Sequence, residues 1–447
     1  MKLRDVCCHI KSRVMSSDIG RRMANGAFWS FTGTALAKCI VLVAGIVCAH
    51  ILGQEEYGEF NMVRSTILLF VVFGVAGLGV TATKFISEYL KTEQSHISSI
   101  YILTNGFAFV TGAVVTTAII IAAPYLAEQS LHAPHLTFSI RVGALLLFVA
   151  VLNGAQQGTL SGFEDFRAIA INTLMGNISE SILMLVGGYY YGVTGAILGF
   201  GTGFFVLYIC NNVSIRRNLR KHGIKVRFKT FQKKDLHLLY TFSLPVALAS
   251  ILVTPVLWCV RTMLVQHDGF SELAIYEASE QWRIIILFIP ATVSQVALPI
   301  LSSIVHDGKE RFWKVLKYNI LLNASITTFL ALAICIGSTT ILHLYGDGFI
   351  KPLVLVFMAL STIFKSVSSV IGMSIYSRSK TWISFCFNSF WAVMMISSSY
   401  LFLQKGLGAS GITLALLCSY VLLCIVQFTY LRISVRQQSP HNPSFNQ

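Results

Sequence analysis

Long apolar runs separated by short polar segments dominate this sequence from residue 27 to residue 431. Each run is continuous, and about 20 apolar residues suffice for a helix that crosses ~30 Å of hydrocarbon. Strands of a membrane barrel would instead alternate apolar and polar residues over about ten positions. About twelve runs occur, near residues 27–52, 60–87, 98–123, 137–160, 168–190, 193–213, 237–265, 273–304, 315–342, 350–376, 382–403 and 409–431. The pattern predicts an all-α polytopic membrane protein with about 12 transmembrane helices.

Composition agrees with this class of protein. The 447 residues are 55% hydrophobic and 12% charged, whereas soluble domains carry about 25% charged residues. The first 26 residues are polar and basic and contain no apolar segment of the kind that a cleavable signal peptide needs. We therefore expect the first span to serve as its own insertion signal.

The position of the basic residues predicts the topology. The net charge is +15, and with the N-terminus inside, 25 of the 34 Lys and Arg residues lie in inner segments. Only Lys351 and Lys405 lie in outer segments. This positive-inside pattern places both termini in the cytoplasm. The basic loops are interpreted as topological signals that attract anionic membrane lipids, and no nucleic-acid partner is expected.

Two weak internal matches indicate a six-span unit that is used twice. Tyr57 precedes Arg64 by seven residues, as Tyr276 precedes Arg283, and a Gly-rich turn opens both the sixth and the twelfth span. Both halves begin inside, so the repeat is parallel, and we expect two pseudo-symmetric six-helix lobes around a central cavity. The predicted divisions are a cytoplasmic N-terminal segment (1–26), an N-terminal lobe (27–213), a basic linker (214–236), a C-terminal lobe (237–431) and a cytoplasmic tail (432–447).

Seven basic side chains lie inside the apolar runs, where each costs roughly 2.5–3.5 kcal/mol at the bilayer centre and usually faces a cavity or a partner. They are Lys38, Arg64, Lys84, Arg141, Arg261, Arg283 and Lys365. Six of them fall in matching spans of the two halves. Few acids lie at comparable depth, and Glu180 is the clearest of them. An interior with excess positive charge predicts an anionic cargo such as a phosphate, a diphosphate or an acidic sugar.

Depth separates these residues into groups. Lys38, Arg283 and Lys365 lie deepest and are the leading candidates for binding cargo, although Glu280 could neutralise Arg283 locally. Three further candidates, Arg64, Arg141 and Arg261, lie near the outer face, where snorkelling to headgroups is an equal explanation. Lys84 is expected to pair with Glu88. Glu180 is the candidate for coupling to an ion.

No catalytic or cofactor-binding pattern stands out in the sequence. The ten cysteines lie in spans or in the inner N-terminal segment, without CxxC or metal-ligand spacing, so neither a disulfide framework nor a metal site is expected. There is no Walker loop and no sizeable soluble domain. We expect a protein that is not an enzyme and needs no cofactor.

Two local motifs resemble those of a known group of transporters. The segment Ile51–Phe60 is similar to the LGxxxYGxF turn of polysaccharide transporters, and Gly77–Glu88 resembles the GLG…(K/R)…E ending of their second span. These proteins belong to the multidrug/oligosaccharidyl-lipid/polysaccharide flippase superfamily, and the chain looks most like its Wzx-type O-antigen translocases. The resemblance implies a multi-pass protein of the bacterial inner membrane, a cationic central cavity and a role in lipopolysaccharide biosynthesis.

The leading hypothesis is therefore a flippase that moves undecaprenyl-diphosphate-linked O-antigen or related repeat units to the periplasmic leaflet by alternating access. The resemblance implies this lipid-linked oligosaccharide as the cargo, with a polysaccharide polymerase and a chain-length regulator as candidate protein partners. Two alternatives remain open. One is a small-molecule or drug antiporter of the same superfamily, and the other is a membrane polysaccharide polymerase, which the short outer loops disfavour.

Overall fold

The computed structural model describes residues 18–75, 77–90, 92, 95–226, 237, 243, 252–303, 309–376 and 381–436. Residues 1–17 of the predicted N-terminal segment, 227–236 of the linker and 437–447 of the tail lie outside them. Every regular element in the described residues is helical. The α-helices are α1 (Asp18–Val75), α2 (Leu78–Tyr89), α3 (Ser95–Tyr125), α4 (Thr137–Gly162), α5 (Phe166–Lys221), α6 (Val253–Asp268), α7 (Phe270–Ser303), α8 (Lys309–Ile336), α9 (Ser338–His343), α10 (Pro352–Tyr376), α11 (Thr381–Gln404) and α12 (Gly408–Arg436).

Eight helices in the described residues are long and apolar enough to cross a membrane. Two of them, α1 and α5, are long enough to supply two spans each. Most residues in the first half of the seventh predicted span, 237–251, are not among the described residues. The described second half of that span forms α6. The eighth predicted span corresponds to α7. The described helices thus account for the predicted pattern of spans.

The two long helices each contain a single break at a glycine. In α1 the break is Gly53 (φ 75°, ψ 175°), so the predicted outer loop at 53–59 is mostly helical. In α5 the break lies at Tyr191 and Gly192, and Gly192 has φ 56°. Glycine adopts positive φ without the steric cost that a Cβ imposes. The second leg of α5 continues to Lys221, so residues 214–221 of the predicted linker are helical.

The chain divides into two compact units. Unit 1 comprises Met1–Leu52 and Val63–Ile251, and unit 2 comprises Gly53–Met62 and Leu252–Gln447. In unit 1, α4 packs against α2, α3 and α5; in unit 2, α10 packs against α7, α8 and α12. The central helices α4 and α10 are the fourth and tenth predicted spans. The two units therefore use corresponding helices at their centres.

The short segment 53–62 of α1 belongs to unit 2, which the sequence did not indicate. Gln54 Nε2 donates a hydrogen bond to the backbone oxygen of Ser271, at 3.1 Å. Gln281 lies between two buried tyrosines, because its Nε2 donates to Tyr57 Oη (2.6 Å) and its Oε1 accepts from Tyr345 Oη (3.1 Å). Burial raises the pKa of the Tyr345 hydroxyl above its usual range, so it stays protonated and able to donate. These bonds fasten the segment to α7.

Candidate functional site

In unit 1, Arg64 lies near a buried carboxylate and an aromatic ring. Arg64 follows the Gly53 break in α1, and Glu180 lies on the first leg of α5. The distance from Arg64 Nη2 to Glu180 Oε1 is 3.8 Å, with side chains that are 26% and 12% exposed. The guanidinium also lies 5.0 Å from the centroid of the Phe200 ring, a cation–π distance. A carboxylate and a ring therefore offset the charge of Arg64 inside this unit.

One polar atom of this arrangement is left without a partner. Arg64 Nε is buried and makes no hydrogen bond to any described residue. A buried donor without an acceptor costs about 1–3 kcal/mol. The sequence singled out Glu180 and Arg64 separately, for ion coupling and for cargo binding, and the structure brings these two candidates together.

In unit 2, the two candidate intramembrane arginines have carboxylate partners. Arg261 Nε on α6 donates to Glu277 Oε1 on α7 at 2.5 Å, and its guanidinium lies 5.4 Å from the centroid of the Tyr276 ring. Arg283 pairs with Glu280 on the same helix through both its Nε and its Nη2. Positions three apart share one face of a helix, which explains this second pair. The suggested local neutralisation of Arg283 by Glu280 is confirmed.

The other three candidate cations differ from the arginines in these pairs. Within the part of the chain that the structure describes, Lys38, Arg141 and Lys365 have no carboxylate partner. Lys38 is half-buried on α1 and Arg141 is exposed near the start of α4. Lys365 lies halfway along α10, with its ammonium group 5.1 Å from the centroid of the Tyr420 ring. No carboxylate among the described residues therefore neutralises these three side chains.

Lys84, the seventh intramembrane cation, contacts an aromatic ring. Its ammonium group lies 5.0 Å from the centroid of the neighbouring Phe85 ring on α2. The ion pair with Glu88 that the sequence suggested stays a prediction. A cation–π contact of this kind stabilises by about 0.5–1 kcal/mol at an exposed site.

A cavity of about 400 Å³ surrounds Lys365 inside unit 2. Helices α10, α11 and α12 supply most of its wall. Trp391 and Tyr420 stack on each other with ring centroids 5.5 Å apart and planes inclined by 24°. Ser368 donates to Gln427 Oε1 at 2.9 Å. The cavity thus combines an aromatic wall, several neutral polar groups and one lysine.

A larger cavity of about 830 Å³ lies in unit 1 at the start of α5. Asp165 begins that helix, because its Oδ1 accepts from the Ala168 backbone N–H at 3.1 Å and its Oδ2 from Asn218 Nδ2 at 2.8 Å. Arg167 lies 5.0 Å from the centroid of the Trp29 ring. With Asp165 engaged in this way, the cavity presents a mixed rather than a strongly basic lining.

Sequence reasoning missed several of these side chains. Glu277 lies within a predicted span, but its partner Arg261 lies on another helix, so no local pattern connects the two. Trp391 and Tyr420 looked like ordinary members of apolar runs, and no local signal distinguishes them. Trp391 and Tyr420 are recognised as neighbours of Lys365 only once the three-dimensional arrangement of α10, α11 and α12 is known.

Comparison with known proteins places the chain in a family. The family model described as polysaccharide biosynthesis protein matches residues 23–305. The chain belongs to this family. A relative from Ralstonia nicotianae, named EPS I polysaccharide export inner membrane protein EpsE, is 22% identical over 419 residues, which are 90% of this chain and 91% of that protein. A protein of the same name from Ralstonia solanacearum is 24% identical over 431 residues, with the same coverage.

Solved structures show the same fold at low identity. An inward-facing multidrug resistance MATE family transporter of the MOP superfamily matches with a TM-score of 0.79 and 16% identity, covering 90% of this chain and 96% of that one. A MOP superfamily transporter from Pyrococcus furiosus matches with a TM-score of 0.70 and 15% identity, covering 95% and 97%. The predicted all-α polytopic fold class and the resemblance to polysaccharide transporters of this superfamily are confirmed.

Proposed function

We propose that this protein is a flippase for lipid-linked glycans in the bacterial inner membrane. It moves undecaprenyl-diphosphate-linked repeat units of O-antigen or a related polysaccharide from the cytoplasmic to the periplasmic leaflet by alternating access. Both termini are cytoplasmic in this proposal, and the protein is a transporter rather than an enzyme. The observation that carries the proposal is the match, along nine-tenths of the chain, to proteins named for polysaccharide export at the inner membrane.

The charges inside the spans support an anionic cargo. Lys38, Arg283 and Lys365, with Arg64, Arg141 and Arg261, are the proposed contacts for its charged groups. Uncompensated intramembrane charge is costly and is usually kept where it has a function. Lys38, Arg141 and Lys365 fit this role most directly, since the described residues offer them no carboxylate. The paired arginines would contact cargo only by sharing or exchanging their carboxylate partners.

A second candidate function is antiport of a small molecule. The observation that favours it is Glu180, a buried carboxylate 3.8 Å from Arg64 within unit 1. Buried carboxylates in membrane helices often carry protons or cations in transporters. In the flippase proposal the same residue would couple glycan movement to an ion.

Deletion of the gene in its native bacterium separates these functions. A flippase deletion should leave lipid-linked repeat units on the inner leaflet, where an impermeant glycan-modifying reagent reaches them only after the membrane is permeabilised. Normal surface polysaccharide with a drug-efflux defect would contradict the flippase and favour the antiporter.

Complementation then tests the proposed cargo contacts. The variants K38A and K365A should reduce surface polysaccharide at normal expression, because each removes a cation without a carboxylate partner. The matched control is K405A, which removes an exposed lysine at the end of α11. Full activity of both variants would refute a role for these lysines.

A further inference from the structure

The cavity around Lys365 has the properties of a binding site for one part of a glycan. Its volume of about 400 Å³ lies at the small end of the range of about 300–1,000 Å³ for ligand pockets. It is therefore large enough for one or two sugar rings and too small for a whole repeat unit. All of its described lining residues belong to unit 2.

The lining distinguishes between the possible anionic groups. Among the described residues that line the cavity, Lys365 is the only one with a formal charge. A diphosphate carries two or more negative charges and is normally bound by several cations or by the fork of an arginine. A single ammonium group matches a single carboxylate. The charge balance of the cavity therefore favours a sugar that carries one carboxylate.

The remaining lining matches the rest of such a sugar. Trp391 and Tyr420, which stack on each other, form an apolar part of the wall against which the C–H groups of a sugar would pack, as in many ligand pockets. Ser384, Asn388 and Gln427 offer hydroxyl and amide groups for sugar hydroxyls. The two amides lie inside the eleventh and twelfth predicted spans, where polar side chains are rare without a function.

One buried donor in this wall has no partner. Trp391 is 2% exposed, and its indole Nε1 is buried without a hydrogen bond to any described residue. Buried polar groups are normally satisfied, and an exception calls for an explanation. A sugar oxygen in the cavity would supply the missing acceptor.

We infer that this cavity is a subsite for a monosaccharide that carries one carboxylate, such as a hexuronate. The ammonium group of Lys365 pairs with the carboxylate, the Trp391–Tyr420 pair forms the apolar wall beside the sugar, and the neutral polar groups bind its hydroxyls. The inference rests on the proposed function in that the sugar would be part of the transported glycan. It assigns Lys365 to the sugar and leaves the diphosphate to other cations.

Binding of soluble glycosides to the full-length purified protein in lipid nanodiscs tests this assignment without requiring transport. The probes are methyl glucuronide, methyl glucoside and inorganic diphosphate. We expect the uronide to bind about 10- to 100-fold more tightly than the neutral glucoside, the range for one hydrogen bond to a charged group. Diphosphate should not displace it. Equal binding of both glycosides, displacement by diphosphate, or no uronide binding would overturn the inference.

Variants assign the effect to residues. Lys365→Met should remove the preference for the uronide, whereas Lys365→Arg should keep it, and the exposed Lys405→Met is the matched control. Trp391→Phe keeps an aromatic ring, although a smaller one, and loses the N–H, so it should weaken binding of both glycosides by about fivefold. Its control is Trp382→Phe, since Trp382 is 79% exposed. A uronide preference that survives Lys365→Met would overturn the assignment.

The outcomes separate this inference from the proposed function. Uronide binding without inner-leaflet accumulation in the deletion strain would retain the subsite and contradict the flippase. Accumulation without uronide binding would retain the flippase and contradict the subsite.

Discussion

The Arg283–Glu280 pair on α7 allows a structural charge to be distinguished from one that binds cargo. The perturbation is a set of three variants: Arg283→Met, Glu280→Leu and the double replacement. Each single variant leaves one charge without its partner in unit 2. The double variant replaces both charges by apolar side chains of similar length.

The exposure of the pair sets the expected magnitude. A solvent-exposed pair at this spacing on a helix stabilises by only ~0.2–0.5 kcal/mol. The Arg283 and Glu280 side chains are 12% and 9% exposed, so the buried case applies. Removal of one partner from a buried pair typically costs ~3–5 kcal/mol, whereas replacement of both by apolar residues is often neutral. We expect each single variant to lose about 3 kcal/mol or more and the double variant about 1 kcal/mol or less.

The assay is unfolding in mixed micelles with increasing SDS, followed by intrinsic fluorescence, with Lys405→Met as an exposed control. Surface polysaccharide is measured in parallel. A double variant that is stable but inactive would assign Arg283 to cargo as well as to stability. If a single variant loses less than about 1 kcal/mol, or the double variant loses the sum of the two, Arg283 and Glu280 do not behave as a buried ion pair.

Two other predictions follow from contacts within the units. A Cβ at Gly203 would lie 2.7 Å from Glu180 Cβ, so Gly203→Ala should displace Glu180 and lower both stability and transport. Its control is Gly106→Ala, where no described atom lies within 4 Å of the new Cβ. Gln281→Leu leaves two buried tyrosine hydroxyls without their amide partner and should cost about 2–4 kcal/mol in SDS unfolding. The exposed Gln404→Leu should change it by less than ~0.5 kcal/mol, and equal effects of the two would contradict the proposed network.

The hydropathy pattern predicted most of the helices, because a span must bury a continuous apolar stretch in lipid. Helices α4 and α10 begin and end within a few residues of their predicted spans. The pattern failed at residues 53–59, the gap between the first two predicted spans, where the polar Glu55 and Glu56 lie and a loop was expected. There a helix exposes those two acids and buries Tyr57 on its other side. A one-residue break at Gly53 is too short to produce a hydropathy signal.

The sequence was sufficient to predict which charged residues lie inside the spans. It was not sufficient to predict which side chains they contact. The partner of Arg283 could be suggested because Glu280 lies on the same face of one helix. The partner of Arg64 is Glu180, 116 positions further along the chain, and no local rule connects them. The wall around Lys365 was equally hidden, since Trp391 and Tyr420 are apolar enough to belong to any span.

The membership of residues 53–62 in unit 2 has a consequence for synthesis of the protein. Tyr57 and Tyr345, which both bond to Gln281, are separated by about 290 residues of chain. At ~5–20 residues per second, the ribosome delivers Tyr345 about 15–60 s after Tyr57. For most of that interval α7 has not yet been synthesised, so the segment lacks the helix to which it bonds. Unit 2 needs residues from both parts of the chain. Assembly of this transporter is therefore expected to finish late, after the last helices have been inserted.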